Sequence, residues 1–136
     1  MTNISTKSIY GLEALYYLAL HKQKLPIGSR TIAKDLKISC AYLEQILMLL
    51  KQGGILEGFK GPKGGYKFAK NLNEIKVIEV LEILEQKKLK LGSSKNRALA
   101  IFWEETNSKI EKILELNLEN LLKYEEKLQS ESMYFI

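Results

Sequence analysis

At 136 residues the chain can hold one core of ordinary size with a helical extension, and 46% hydrophobic against 27% charged residues excludes a disordered chain. Cys40 is the only cysteine, which excludes an internal disulfide and a cysteine-rich metal site; apolar runs such as Ile46 to Leu50 are far too short to cross a bilayer. The net charge of +5 is uneven: residues 1–70 hold eleven Lys and Arg against four Asp and Glu, and residues 71–136 hold ten against twelve, so the basic excess lies in one half, as a phosphate-binding surface would place it.

Ile4-Ser5-Thr6-Lys7 offers a hydroxyl cap, and Ile9, Leu12, Leu15 and Ala19 then recur at helical spacing. Pro26 ends the connection, and Ser29 is expected to cap a second short helix burying Ile32, Ala33 and Leu36. Lys37-Ile38 makes a tight turn to Ser39, which caps a third helix. Leu43, Ile46, Leu47 and Leu50 form its inward stripe, while Ala41, Tyr42, Gln45 and Gln52 point the other way. Gly53-Gly54 stops it, and a hairpin follows with Phe59 and Lys60 on opposite faces and a tip of Gly61-Pro62-Lys63-Gly64-Gly65. Asn71 to Glu74 leads into a helix with Val77, Ile78, Leu81 and Leu84 inward, and Gln86 to Lys95 reads as a loop. In the long helix that follows, Leu99, Trp103, Thr106, Ile110, Ile113 and Asn117 form a heptad seam. Asn117 is also the expected cap of a short final helix carrying Leu118, Leu121, Leu122 and Leu128.

Helix, helix, tight turn, helix, hairpin is the order of a winged helix-turn-helix. The expected fold is mainly α, with a small two-stranded wing and a long C-terminal dimerisation helix. The division is a DNA-binding domain over 1–86, a loop over 87–95, and a dimerisation helix, short final helix and tail over 96–136. A polar helix face beside a cationic hairpin suits double-stranded DNA, the helix in the major groove and the hairpin alongside. Gln45 is placed to read bases, and Lys7, Lys34 and Lys63 to neutralise phosphates. The seam of Leu99, Trp103, Ile110 and Ile113 has no partner in so small a chain, which points to a two-fold homodimer.

Ile4-Ser5-Thr6-Lys7-Ser8-Ile9-Tyr10-Gly11-Leu12, Tyr42-Leu43-Glu44-Gln45 and Lys60-Gly61-Pro62-Lys63-Gly64-Gly65-Tyr66 together resemble the Rrf2 family of bacterial transcription regulators (the IscR, NsrR and CymR group) in order and spacing. The resemblance covers the chain end to end. It implies a homodimer on a partly palindromic operator, with contacts from Ser39, Tyr42 and Gln45 and with Lys60 and Gly61 at the minor groove. Lys60 stands where arginine is frequent and Ala41 where serine is, so minor-groove readout is expected to be less exacting. Cluster-bearing members place cysteines in the loop matching Gln86–Lys95. This chain has none there, so no iron–sulfur cluster and no other cofactor is expected. The ending Ser132-Met133-Tyr134-Phe135-Ile136 resembles the tail of CymR-like cysteine-metabolism repressors. That implies control of sulfur or cysteine genes and docking of Tyr134, Phe135 and Ile136 on cysteine synthase.

Two other readings stay open: a thiol redox switch at Cys40, in the first turn of the third helix, and an interaction module that no longer reads DNA. The commoner fate of a free cysteine is burial without chemistry. The glycine-rich tip lacks the Gly-Lys-Ser/Thr ending of a phosphate loop, and Glu104-Glu105 and Glu125-Glu126 read as solvated surface. With no nucleophile, base or metal constellation, an enzyme is not expected. No signal peptide is recognised, and the expected compartment is a reducing cytoplasm.

Overall fold

A computed structural model describes residues 4–134 of the chain, with side chains as far as Glu131. The elements in order are α1 (Thr6–Leu20), α2 (Ser29–Leu36), α3 (Cys40–Gln52), β1 (Leu56–Phe59), β2 (Gly65–Phe68), α4 (Val77–Glu85), α5 (Arg97–Ile113) and α6 (Leu118–Tyr134). This is a winged helix-turn-helix followed by two long helices. The expected Leu43, Ile46, Leu47 and Leu50 stripe of α3 is wholly buried, against Leu15 and Leu18 of α1 and Val80 and Leu84 of α4. Gly11 lets α1 and α4 approach closely, since a methyl group there would lie 2.3 Å from Leu84 Cδ1.

The start of α1 is fastened to the end of α4 by one carboxylate. Glu85 Oε2 accepts from the Ser5 amide (2.9 Å), the Ser5 hydroxyl (2.6 Å) and the hydroxyl of buried Ser8 (2.5 Å). Ser5 also caps α1. Negative charge at a helix N-terminus is doubly favoured, by the donors and by the helix dipole.

Several local expectations change in three dimensions. The inward face of α1 keeps the expected Leu15 and Ala19 and adds Ser8, Gly11, Ala14 and Leu18, while Ile9 is half exposed and Leu12 half-buried. Gly28 rather than Ser29 is the cap residue of α2, without a side-chain bond, and Leu36 is only half-buried. In α4, Val80 is buried in place of Ile78. The long helix stops at Ile113, short of Asn117, because the turn after it is laced to α4: the Val77 and Ile78 amides donate to the Leu116 and Leu114 carbonyls (2.9 and 2.8 Å), and Leu118 N–H donates to Ile75 O (2.9 Å). These bonds satisfy first-turn amides of α4, which has no side-chain cap. Asn117 does cap α6, exchanging bonds with Asn120 (2.7 and 3.0 Å). The final helix is 17 residues, as long as α5, and its first residue, Leu118, joins the core.

Glu125, expected as solvated surface, accepts from the Tyr16 hydroxyl (2.8 Å) and so ties α6 to α1; burial, then this bond, pushes that hydroxyl up to about 12. Trp103 has a partner within its own chain: a methyl group on Gly92 would lie 2.9 Å from three indole carbons. Leu99, Phe102 and Ile113 lie open on the neighbouring face of α5, Phe102 being a residue the heptad reading left out, and Ile110 is half-buried. The side chain of Tyr134, with Phe135 and Ile136, lies outside the described residues.

The Ser5 and Ser8 hydroxyls, with the Ser5 amide, hold the Glu85 carboxyl down from 4.5 to about 2, against the opposing effect of burial. A depressed folded value means stability that is complete above pH 4.5 and lost as pH falls towards about 2. Glu85→Gln should cost about 1–2 kcal/mol at pH 7, at the modest end for bonds to a charged group because the carboxyl keeps some solvent. In urea melts, the gap between the two proteins should narrow progressively below pH 4.5.

Candidate nucleic-acid interface

Ser39 sets the start of α3, its hydroxyl accepting from the Tyr42 amide (3.0 Å). The tight turn before it places Lys37 in the left-handed region, φ 59°, so α2 and α3 meet at a short corner. With the apolar stripe buried, Ala41, Glu44, Gln45 and Met48 face outward. Tyr42 is half-buried, its ring edge-on to Tyr10 at 6.1 Å and 87°. Lys7, one turn before Tyr10, shares that face of α1 at the start of α3. Lys34 is exposed on α2.

The wing is a hairpin with Leu56 opposite Phe68 and Phe59 opposite Gly65. Its tip closes through Gly64 N–H to Gly61 O (2.9 Å), with Pro62 where a turn prefers it and Gly61 at φ 100°. Lys60, Gly61, Pro62 and Lys63 are exposed, and Gly64 is half-buried. Ile27, just before α2, exchanges two backbone bonds with Tyr66 (3.1 and 2.9 Å) and so pins the wing to the helix-turn-helix. Gly65, at φ 147°, permits this approach; a methyl group there would lie 2.3 Å from the Ile27 carbonyl carbon.

Between α3 and the wing runs an open cleft of about 670 Å³, whose lining includes Arg30, Lys51 and Lys60, Glu44 and Tyr66. Arg30 and Lys51 were not singled out from the sequence. Only the fold brings the first turn of α2 and the last turn of α3 to the wing, and their bare signal was an exposed basic residue in each. Glu44 accepts from the Ser29 hydroxyl (3.0 Å), and Cys40 Sγ lies 3.8 Å from Ser29 Oγ and 3.9 Å from Glu44 Oε1. Burial, then the Glu44 carboxylate, raises the Tyr66 hydroxyl above its ordinary value and keeps it protonated. The arrangement therefore offers a capped helix with an outward polar face, and cations along a groove beside it.

The family model described as an iron-dependent transcriptional regulator, Rrf2, matches residues 4–124. The chain belongs to the Rrf2 family. IscR of Pectobacterium atrosepticum is 35% identical over 83 residues, 61% of this chain and 51% of that protein. The chain thus spans about half the length of the curated relatives it matches. Among solved structures, IscR of T. potens is similar with TM-score 0.78 at 32% identity, over 94% of this chain and 91% of that one. CymR of B. subtilis, its global cysteine regulator, is similar with TM-score 0.80 at 27% identity, over 91% and 98%. The family is one of transcriptional regulators, and the winged helix-turn-helix seen here is an architecture the chain shares with these IscR and CymR structures.

The residues present do not suit the iron named in the Rrf2 description. The segment 86–95 contains no Cys, His, Asp or Glu, and Cys40 lies in α3 beside a carboxylate. Among the described residues no group of three or more His, Cys, Asp or Glu is placed to hold a metal ion. A cluster held by several thiolates does not fit this donor set. Among the same residues, no helix is long and apolar enough to cross a membrane.

Proposed function

We propose that the chain is a homodimeric repressor that binds a partly palindromic operator through two winged helices, without an iron–sulfur cluster. The observation that carries this reading is the outward polar face of α3, Ser39 to Gln45, set beside the cation-lined wing cleft. In it, α3 lies in the major groove with Gln45 on base edges, while Lys60 and Gly61 approach the minor groove. Lys7, Lys34 and Lys63, with Arg30 and Lys51, neutralise phosphates, which fixes register without reading sequence. DNA binding belongs to 1–86, and dimerisation to 96–136 beyond the 87–95 loop.

Two apolar surfaces of the single chain support the dimer. One is the α5 face with Leu99, Phe102 and Ile113 exposed; the other is a groove of about 610 Å³ lined by Ile9, Leu12, Leu81, Leu121 and Tyr124 among others. Apolar surface of this extent favours a partner, and a second copy is the economical one. Similarity to CymR supports sulfur or cysteine genes as the target.

Gln45→Ala should weaken operator binding by about 1–3 kcal/mol and relax one base position. Lys63→Ala should weaken all sequences alike and lower the salt slope by about one unit. Equal loss on operator and random DNA for Gln45→Ala would remove α3 as the reading helix. In sedimentation, Leu99→Glu with Phe102→Glu should convert a micromolar dimer to monomer and abolish tight operator binding; a dimer unaffected by both would move the interface off α5. The tail completes the reading as a docking peptide for cysteine synthase, its aromatic and aliphatic end suited to a pocket of backbone donors. Calorimetry should then show heat with the full chain and none with a chain lacking Phe135 and Ile136; equal heats would remove the docking role.

A further inference from the structure

A second recess lies away from the DNA face, between the loop after α4 and one side of α5. Its volume is about 570 Å³, within the range of small-molecule pockets. The loop is held in shape rather than merely spanning the gap: Leu91 N–H donates to Asn107 Oδ1 (2.8 Å), Asn107 Nδ2 donates to Gly92 O (3.0 Å), and Leu89 N–H donates to Glu82 Oε2 (3.0 Å). Trp103, packed on Gly92, supplies an aromatic wall. On the helix side stand Glu104 and Glu111, two turns apart and both exposed. Lys90 and Ser93 stand on the loop side. Among the described residues neither carboxylate has a cation within ion-pair distance, and Lys90 has no carboxylate; Glu82 is already engaged with Lys88.

We propose that this recess is a binding site for a small zwitterion of amino-acid type, its ammonium group against Glu104 or Glu111 and its carboxylate against Lys90 and Ser93. The two walls carry opposite free charge across an indole, so a molecule with one charge of each sign meets both without stranding either. A simple anion would meet the helix carboxylates, and a simple cation the loop lysine.

Trp103 is the only tryptophan, so its emission reports on this recess alone. The test titrates the full chain, without DNA, with each proteinogenic L-amino acid except tryptophan, to millimolar concentration. At least one should give a saturable change in Trp103 emission, while its N-acetyl and amide forms, each lacking one charge, should give none. Glu104→Gln with Glu111→Gln, exposed positions whose folding is checked by thermal melting, should abolish the response, and Lys90→Ala from the other wall should weaken it at least several-fold. No saturable response to any amino acid, equal binding of the one-charge forms, or a response that survives both sets of substitutions would overturn the proposal. Because the readout needs no DNA, its failure leaves the operator-binding reading untouched, and the reverse holds.

Discussion

The geometry of this protein turns on the need to bury one stripe of α3. Leu43, Ile46, Leu47 and Leu50 are all inaccessible to solvent, and each buried aliphatic side chain contributes about 1.5–3 kcal/mol. Rotating the helix by one residue, about 100°, would expose roughly two of them and carry polar Glu44 or Gln45 inward. That costs about 3–6 kcal/mol in transfer free energy alone, much of the net stability of a small domain. The outward face of α3 is therefore set by what its inward face must do, and Ala41, Glu44 and Gln45 need no interaction of their own to hold them out.

The wing depends on a second, backbone-level constraint. An isolated two-stranded hairpin is marginal in water, and this one is four residues a strand. The Ile27–Tyr66 pairing adds a third short segment and fixes the hairpin against the corner between α1 and α2. The cleft beside α3 is thus shaped by hydrogen bonds that tolerate many side chains. Its lining carries charge of both signs, Arg30, Lys51 and Lys60 against Glu44. Glu44 is not idle, since it takes the Ser29 hydroxyl and couples the starts of α2 and α3.

What could be read from residues alone was local. The Ser39 cap, the four-residue stripe, the glycine tip and the Asn117 cap each follow from a few neighbouring positions, and each stands in the structure. What could not be read depends on distant segments meeting. Backbone bonds from Leu114 and Leu116 to α4 carry no side-chain signature, so heptad spacing alone carries α5 four residues too far, to Asn117. Trp103 fits a heptad by spacing, yet Gly92 offers a flat surface that only the folded loop brings beneath it. Glu125 beside Glu126 looked like surface until α6 returned to Tyr16. In the cleft, Arg30 and Lys51 are unremarkable basic residues until the wing arrives between them.

The central claim is that α3 and the wing read DNA as a symmetric pair. Its most direct test is selection of bound duplexes from a random-sequence pool, followed by footprinting of the selected site. The account predicts an inverted repeat, with two protected major-groove segments on one face of the duplex, a whole number of helical turns apart, flanked by minor-groove protection. A pool that yields no preferred sequence, or a single unrepeated site with protection in one groove only, would contradict it.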